Sequence, residues 1–305
     1  MTTLGTSTAI PRVAFASLTR QEFTSRFRRP GRPVVLEGAL DGLPDWTLDY
    51  IEARLDPAPR VVRRYGAERF RRPRHEWRDY STLGQLSISE YARMIEDRSA
   101  HRERVYMAQV GIGETPLGAA IRPYVEALGA RCDMQRFAPC DLNLWLGPAG
   151  HTEPLHFDPA EGTLIQTHGA KRVVLFSPAD TDGLYPFPIR GGGVPPWFSQ
   201  VDIQAPDMER FPRLRKALGG RLEGIVEPGD ALFIPAFWWH EVTALGDDFV
   251  CSVNRFWRIK PVWRNVALRG SGRMPLLSTM LFLSNHLPTR IVVALNRLLT
   301  ARAAR

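Results

Sequence analysis

The chain has 305 residues, 44% of them hydrophobic and 24% charged, with a formal net charge of +8. These values exclude a disordered or low-complexity polymer and permit one large globular domain or two small ones. Three cysteines (Cys132, Cys140 and Cys251) with no Cys-x-x-Cys pair argue against a disulfide framework and suit a reducing cytoplasm. The opening MTTLGTSTAIPRVAF lacks the basic start and apolar core of a secretory signal, and no apolar run is long enough to span a bilayer.

In chain order, the residues before Ser17 read as a loose arm. Ser17 or Thr19 caps a short helix through Phe27, with Phe23 and Phe27 on one face, and Pro30-Gly31 breaks it. Residues 32–36 read as a strand, 38–44 as a loop, 48–55 as a second helix, and Val61-Val62 as the start of another strand. Residues 63–79, RRYGAERFRRPRHEWRD, interleave Arg with Tyr65, Phe70 and Trp77. That mixture resembles a nucleic-acid patch, but it matches no RNA or DNA motif, and a loop at an active-site mouth is the preferred reading. The positive balance is likewise read as a solvated Arg-rich surface before an anionic partner.

Ser87 caps a helix through Ile95, and residues 105–110 and 140–146 are strands, the second feeding a turn at 147–150. Beyond it come a strand at 163–166, a turn at 168–170 and a strand at 171–176. A Gly- and Pro-rich insert at 186–200 reads as a substrate-facing loop. A helix is expected over 207–218, a turn at Gly229-Asp230, and strands at 231–234 and 249–253. After Pro261 the composition shifts to two expected helices, 276–283 and 291–299, whose apolar faces exceed what one small helix buries alone.

The chemistry gathers at His156-Phe157-Asp158. A His and an Asp two apart lie on one face of a strand, and both are metal ligands. A third ligand is needed, and His240 in FIPAFWWHEV is the candidate. Two His and one carboxylate make the facial triad of non-haem Fe(II) oxygenases, with positions left open for other ligands. The bland alternatives are a chance His-x-Asp and a packed core histidine beside Trp238 and Trp239. The turn-flanked strands around both halves favour the metal site. Trp238 and Trp239 cannot both point inward if they lie on a strand.

The ordered set PLHFDP, IQTHGAKRVVLFSP, LYPFP, EPGDALFIPAFWWHEV and SVNRFW, spread from Tyr106 to Trp257, resembles the JmjC, or cupin-like, family of Fe(II)- and 2-oxoglutarate-dependent oxygenases. The lead-in SLTRQEFTSRF…PGRPVVLEGALDGLPDW is similar to that of bacterial cupin-like proteins and of the asparaginyl hydroxylase acting on hypoxia-inducible factor. The resemblance implies an α+β protein whose core is a double-stranded β-helix. It divides the chain into an α/β lead-in (1–104), the core (105–258) and a helical C-terminal segment (259–305). It also implies Fe(II) as cofactor and 2-oxoglutarate as co-substrate.

By the same resemblance, Lys171 takes the distal carboxylate of 2-oxoglutarate, against the alternative of an exposed hairpin lysine. Tyr106 either contacts a carboxylate of 2-oxoglutarate or is a core aromatic. Thr163 lies nearby, and Asn254 sits near the metal-bound end. Three positions depart from the family. Glu153 stands where Thr or Ser is usual, with Thr152 as a neighbouring substitute; Gly162 stands where Asn is frequent; Arg255 follows Asn254. Glu153 would either repel a carboxylate or recognise a basic substrate group.

The expected activity is hydroxylation of a protein or peptide side chain. Rival readings are a hydroxylase of a small metabolite, a non-catalytic cupin-like binding protein and a metal enzyme without 2-oxoglutarate. A homodimer through the C-terminal helices is the expected assembly, with packing on the chain's own barrel or on an anionic membrane surface as its rivals.

Overall fold

The computed structural model describes residues 7–66, 82–134, 139–187 and 197–257, with residues 139–141 described by their backbone. The expected helices at 276–283 and 291–299, the dimer that rests on them, and most of the basic stretch at 63–79 lie outside the described residues.

The strands are β1 (Thr8–Ala9), β2 (Arg12–Ala14), β3 (Val34–Glu37), β4 (Arg60–Arg64), β5 (Thr82–Leu86), β6 (Val105–Gly111), β7 (Pro139–Pro148), β8 (Thr152–Phe157), β9 (Glu161–His168), β10 (Lys171–Phe176), β11 (Leu222–Val226), β12 (Ala231–Ile234), β13 (Trp239–Ala244) and β14 (Phe249–Trp257). They form a five-stranded sheet in the order β1-β11-β10-β13-β8 and a nine-stranded sheet in the order β2-β3-β12-β9-β14-β7-β6-β4-β5. The sheets face each other as the expected double-stranded β-helix. Strands of the lead-in extend the larger sheet at both ends.

Side-chain alternation sorts the strands into an inside and two outsides. Between the sheets, Val35, Leu232 and Ile234 of the larger meet Val173, Leu175 and Val226 of the smaller. Outside the larger sheet, Phe233, Ile165, Val253 and Trp257 join the helices in the main core. Outside the smaller sheet, Phe157, Phe176 and Trp239 pack on the segment that follows β10. One end of the interior is therefore filled with aliphatic side chains, and the other is left for chemistry.

The helices are α1 (Arg20–Phe23), α2 (Leu48–Glu52), α3 (Ile88–Glu96), α4 (Ser99–Glu103), α5 (Pro116–Arg131) and α6 (Leu214–Gly219). Thr19 caps α1 and Ser87 caps α3, each in a capping box with Glu22 or Glu90 three residues on. A π-helical turn, Thr24–Arg28, continues α1 to Phe27. The 16-residue α5 was not expected from sequence. Pro123 in its interior and its many small residues hide it, although Leu117, Ile121, Val125 and Leu128 form a buried stripe at helical spacing.

The helix expected over 207–218 is corrected to Leu214–Gly219. Pro212 has no N–H to donate, and Asp207 instead holds a turn by accepting from the backbone N–H of Glu209 and Arg210. Among the described residues no helix is long and apolar enough to cross a membrane.

Candidate metal centre

His156 lies on β8, Asp158 just beyond its end, and His240 directly across from His156 on β13. Each offers one ligand atom, and these atoms all lie within 4.8 Å of one another. His240 Nε2 is 3.5 Å from Asp158 Oδ2, and the two imidazole centroids are 4.2 Å apart. The Phe237 N–H donates to the Asp158 carbonyl (2.8 Å), which ties the turn before β13 to the end of β8.

Each imidazole is oriented by the same local device. His156 Nδ1 is 2.7 Å from the Pro154 carbonyl and His240 Nδ1 is 3.1 Å from the Trp238 carbonyl. A carbonyl only accepts, so each Nδ1 carries the proton and each Nε2 keeps a lone pair for a metal. Burial, with the neighbouring His156 ring second, pushes the His240 imidazole down to about 4. At neutral pH it is unprotonated, the state in which it ligates.

The pocket around these ligands encloses about 840 Å³, its open mouth included. Ile234, Trp238 and Val242 form an apolar wall, and Tyr106, Trp145, Glu153, Lys171, Ser252 and Asn254 supply the polar groups. Trp238 lines the pocket and donates through Nε1 to the Gly31 carbonyl. Trp239 points out, its Nε1 donating to Thr181 Oγ1. The two tryptophans thus divide between the faces as strand alternation requires.

Lys171 is 4% exposed, which excludes the hairpin-surface alternative. Its ammonium donates to Ser252 Oγ, and among the described residues it has no ion pair. Burial lowers its pKa to about 8, against the opposing influence of Cys251 and Glu153. Tyr106 is buried in the pocket wall and its ring stacks on His151 at 3.8 Å. Burial first and the Glu153 charge second raise its pKa well above the ordinary phenol value, so its hydroxyl stays a donor. A Cβ at Gly147 would come within 2.0 Å of the Tyr106 ring, so the glycine makes room for this packing.

Asn254 Oδ1 and Trp145 Nε1 are buried without a hydrogen-bond partner among the described residues. Unsatisfied polar atoms in a pocket are costly unless a ligand or water completes them. Together with the unpaired Lys171 ammonium, they fit an anionic, hydrogen-bonding molecule beside a metal held by His156, Asp158 and His240.

Two expectations fare differently. Thr163 borders the pocket, but it stands opposite Phe233, whose side chain packs in the main core outside the sheet. Its hydroxyl donates to the Arg255 carbonyl (3.3 Å), and Trp257 Nε1 lies 3.5 Å away. Thr152 also faces out, with Oγ1 3.1 Å from Thr243 Oγ1, and so does not substitute for the residue at 153. Ser252 and Trp145 were missed. Ser252 was findable, since it precedes Asn254 by two on β14 and shares its face. Trp145 had only its strand position as a signal.

Fold and site together define a double-stranded β-helix protein in which a His-x-Asp…His set converges as a group that could hold a metal ion. The family model described as "Cupin-like domain" matches residues 20–262, and the chain belongs to this cupin-like, JmjC-type family. It is 32% identical over 257 residues to a protein named lysine-specific demethylase 8 from Xenopus tropicalis, covering 83% of this chain and 54% of that protein. The Danio rerio protein of the same name is 32% identical over 260 residues, covering 81% and 58%. A Danio rerio protein named tRNA wybutosine-synthesizing protein 5 is 45% identical over 107 residues, covering 35% and 29%. The chain thus spans about half the length of the demethylase 8 proteins it matches.

Proposed function

We propose that this chain is an Fe(II)- and 2-oxoglutarate-dependent oxygenase that hydroxylates a protein or peptide side chain. The observation that carries the reading is Lys171: a buried ammonium, in the same pocket as three side chains that could hold a metal, with no carboxylate among the described residues paired to it. A buried charge is costly unless it meets a counter-ion, and the distal carboxylate of 2-oxoglutarate is one. The relatives named as lysine-specific demethylases support a protein substrate, because removing an N-methyl group by this chemistry also begins with hydroxylation of a C–H bond.

When bound, Fe(II) with 2-oxoglutarate and dioxygen supplies the oxidising power, with succinate and carbon dioxide as co-products. The chain's own residues do the positioning. His156 and His240 hold Nε2 toward the metal because their Nδ1–H groups are tied to backbone carbonyls, and Asp158 supplies the third ligand and a negative charge. Lys171, steadied by Ser252, anchors the far end of the co-substrate. Tyr106 and Asn254 offer hydrogen bonds along its length. Ile234, Trp238 and Val242 keep that wall dry, which strengthens each of these interactions.

The test is succinate formation when the pure protein receives Fe(II) and 2-oxoglutarate, followed by a screen of protein and peptide substrates for a mass gain of one oxygen atom. No succinate above a metal-free control overturns the oxygenase reading. Succinate coupled only to small metabolites overturns the substrate class.

A further inference from the structure

Glu153 stands three residues before His156, and in a regular strand the two would face opposite sides. They do not, because β8 is bulged. His156 pairs with His240 and Glu153 with Val242, so Pro154 and Leu155 together face the single residue Glu241. The extra residue turns Glu153 into the interior, where it lines the pocket.

Its carboxylate is met there both from the lead-in and from the turn just before β8. Arg63 Nη1 lies 3.6 Å from one oxygen and His151 Nε2 3.6 Å from the other. Arg63 belongs to β4 of the lead-in and stands opposite Tyr106 of the pocket wall. Its other nitrogen, Nη2, donates to Gln109 Oε1 (3.2 Å). Burial opposes the Glu153 charge, yet the adjacent His151 and the Arg63 charge hold its pKa down to about 2.

Besides the ligand Asp158, the pocket is therefore lined by a positive Lys171 and a negative Glu153, and Arg63, positive, stands beside Glu153. Glu153 and Lys171 form no ion pair, so a negative charge is left close to the ammonium that would take an incoming carboxylate. Inside a low-dielectric pocket that repulsion is large unless something cancels it. We infer that Arg63 is a positioning residue for the co-substrate: it neutralises Glu153 and so lets the Lys171 end of the pocket select a second carboxylate. The inference rests on the oxygenase reading above, and it makes the lead-in strand part of the co-substrate site.

The experiment compares two 2-oxo acids by calorimetry on the full chain loaded with Mn(II). 2-Oxoglutarate has the distal carboxylate and 2-oxobutanoate lacks it. Wild-type protein is expected to prefer the first. Arg63→Met is expected to weaken 2-oxoglutarate about tenfold or more, as removing one partner of a half-buried charge pair does, and to leave 2-oxobutanoate unchanged. The double change Arg63→Met/Glu153→Gln is expected to restore the preference, because the uncancelled charge is gone. Arg63→Lys is expected to keep most of it. A merely structural role for Arg63 would weaken both acids together and would not be rescued at Glu153. An unchanged preference in Arg63→Met, or a double variant as weak as the single one, overturns the inference alone. Wild-type protein that does not distinguish the two acids overturns the oxygenase reading and this inference with it.

Discussion

The two ends of the pocket are built by different rules. At the metal end, two of the three ligands sit on neighbouring strands, and each imidazole is fixed by a carbonyl two residues before it. Everything needed lies within a few residues of His156 and of His240. At the Lys171 end, the charges come from β10, β8 and β4, and they meet partners far away in sequence: Lys171 meets Ser252 and Glu153 meets Arg63, with only His151 near by in the chain. The metal end is a local pattern repeated twice, whereas the other end exists only once the chain has folded.

The largest expected effect breaks the metal end. Asp158→Ala removes a first ligand and the only negative one of the three. Losing an outer partner of a ligand typically costs about 10–100-fold in metal affinity. Losing the ligand itself should cost more than about 100-fold by that measure, read by Mn(II) titration, with 2-oxoglutarate turnover falling to background. Retained tight binding would show that the convergence of these atoms does not serve a metal.

Next comes the other end. Lys171→Met leaves the co-substrate's distal carboxylate buried without its counter-ion, a loss of about 2–5 kcal/mol in 2-oxoglutarate binding. The metal end should be untouched, so Mn(II) affinity stays as in wild type. The chain without co-substrate should also melt higher, because an unpaired buried charge has been removed. A variant that binds 2-oxoglutarate normally would remove Lys171 from the site.

The same contrast explains what could be read in the sequence. His156, Asp158 and His240 were legible because ligand chemistry and strand spacing are local properties. The division of Trp238 and Trp239 followed from alternation alone. Glu153 was visible as a departure, but its orientation was not, because the bulge opposite Glu241 arises from the pairing of β8 with β13. For the same reason Thr152 looked like a possible substitute and in fact faces out. Arg63 stood in a run of basic residues, where nothing set it apart until β4 paired with β6. Helix α5 was hidden by Pro123, and the over-long helix at 207–218 ignored Pro212.

A pH titration sharpens the comparison with a smaller, graded effect. Burial lowers Lys171 to about 8 from its ordinary 10.5, so between those values the folded chain holds fewer protons than the unfolded one. The cost of burying the ammonium is thus fully present below pH 8 and is relieved as the pH rises toward 10.5. Co-substrate binding runs the other way, because it needs the charged form. Wild-type affinity for 2-oxoglutarate should fall as pH rises above about 8, approaching that of Lys171→Met, whose own affinity stays flat across the same range. Parallel profiles for the two proteins would assign the titration to another group.

The smallest effect tests the face assignment on which the contrast depends. Thr152 and Glu153 are adjacent, and both were candidates for the same position near a carboxylate. The structure puts the Thr152 hydroxyl outside the barrel, against Thr243, and Gln204 Nε2 reaches the same Thr243 hydroxyl at 3.4 Å. Thr152→Val keeps the shape of the side chain and deletes one hydroxyl of this cross-strand pair. The cost should be that of a single neutral hydrogen bond, about 1 kcal/mol in unfolding free energy. Because the hydroxyl faces away from the pocket, affinity for 2-oxoglutarate and its preference over 2-oxobutanoate should both stay at wild-type values. A fall in co-substrate affinity without a fall in stability would mean that β8 presents Thr152 inward. Glu153 would then turn out, and the Arg63 contact could not serve the pocket.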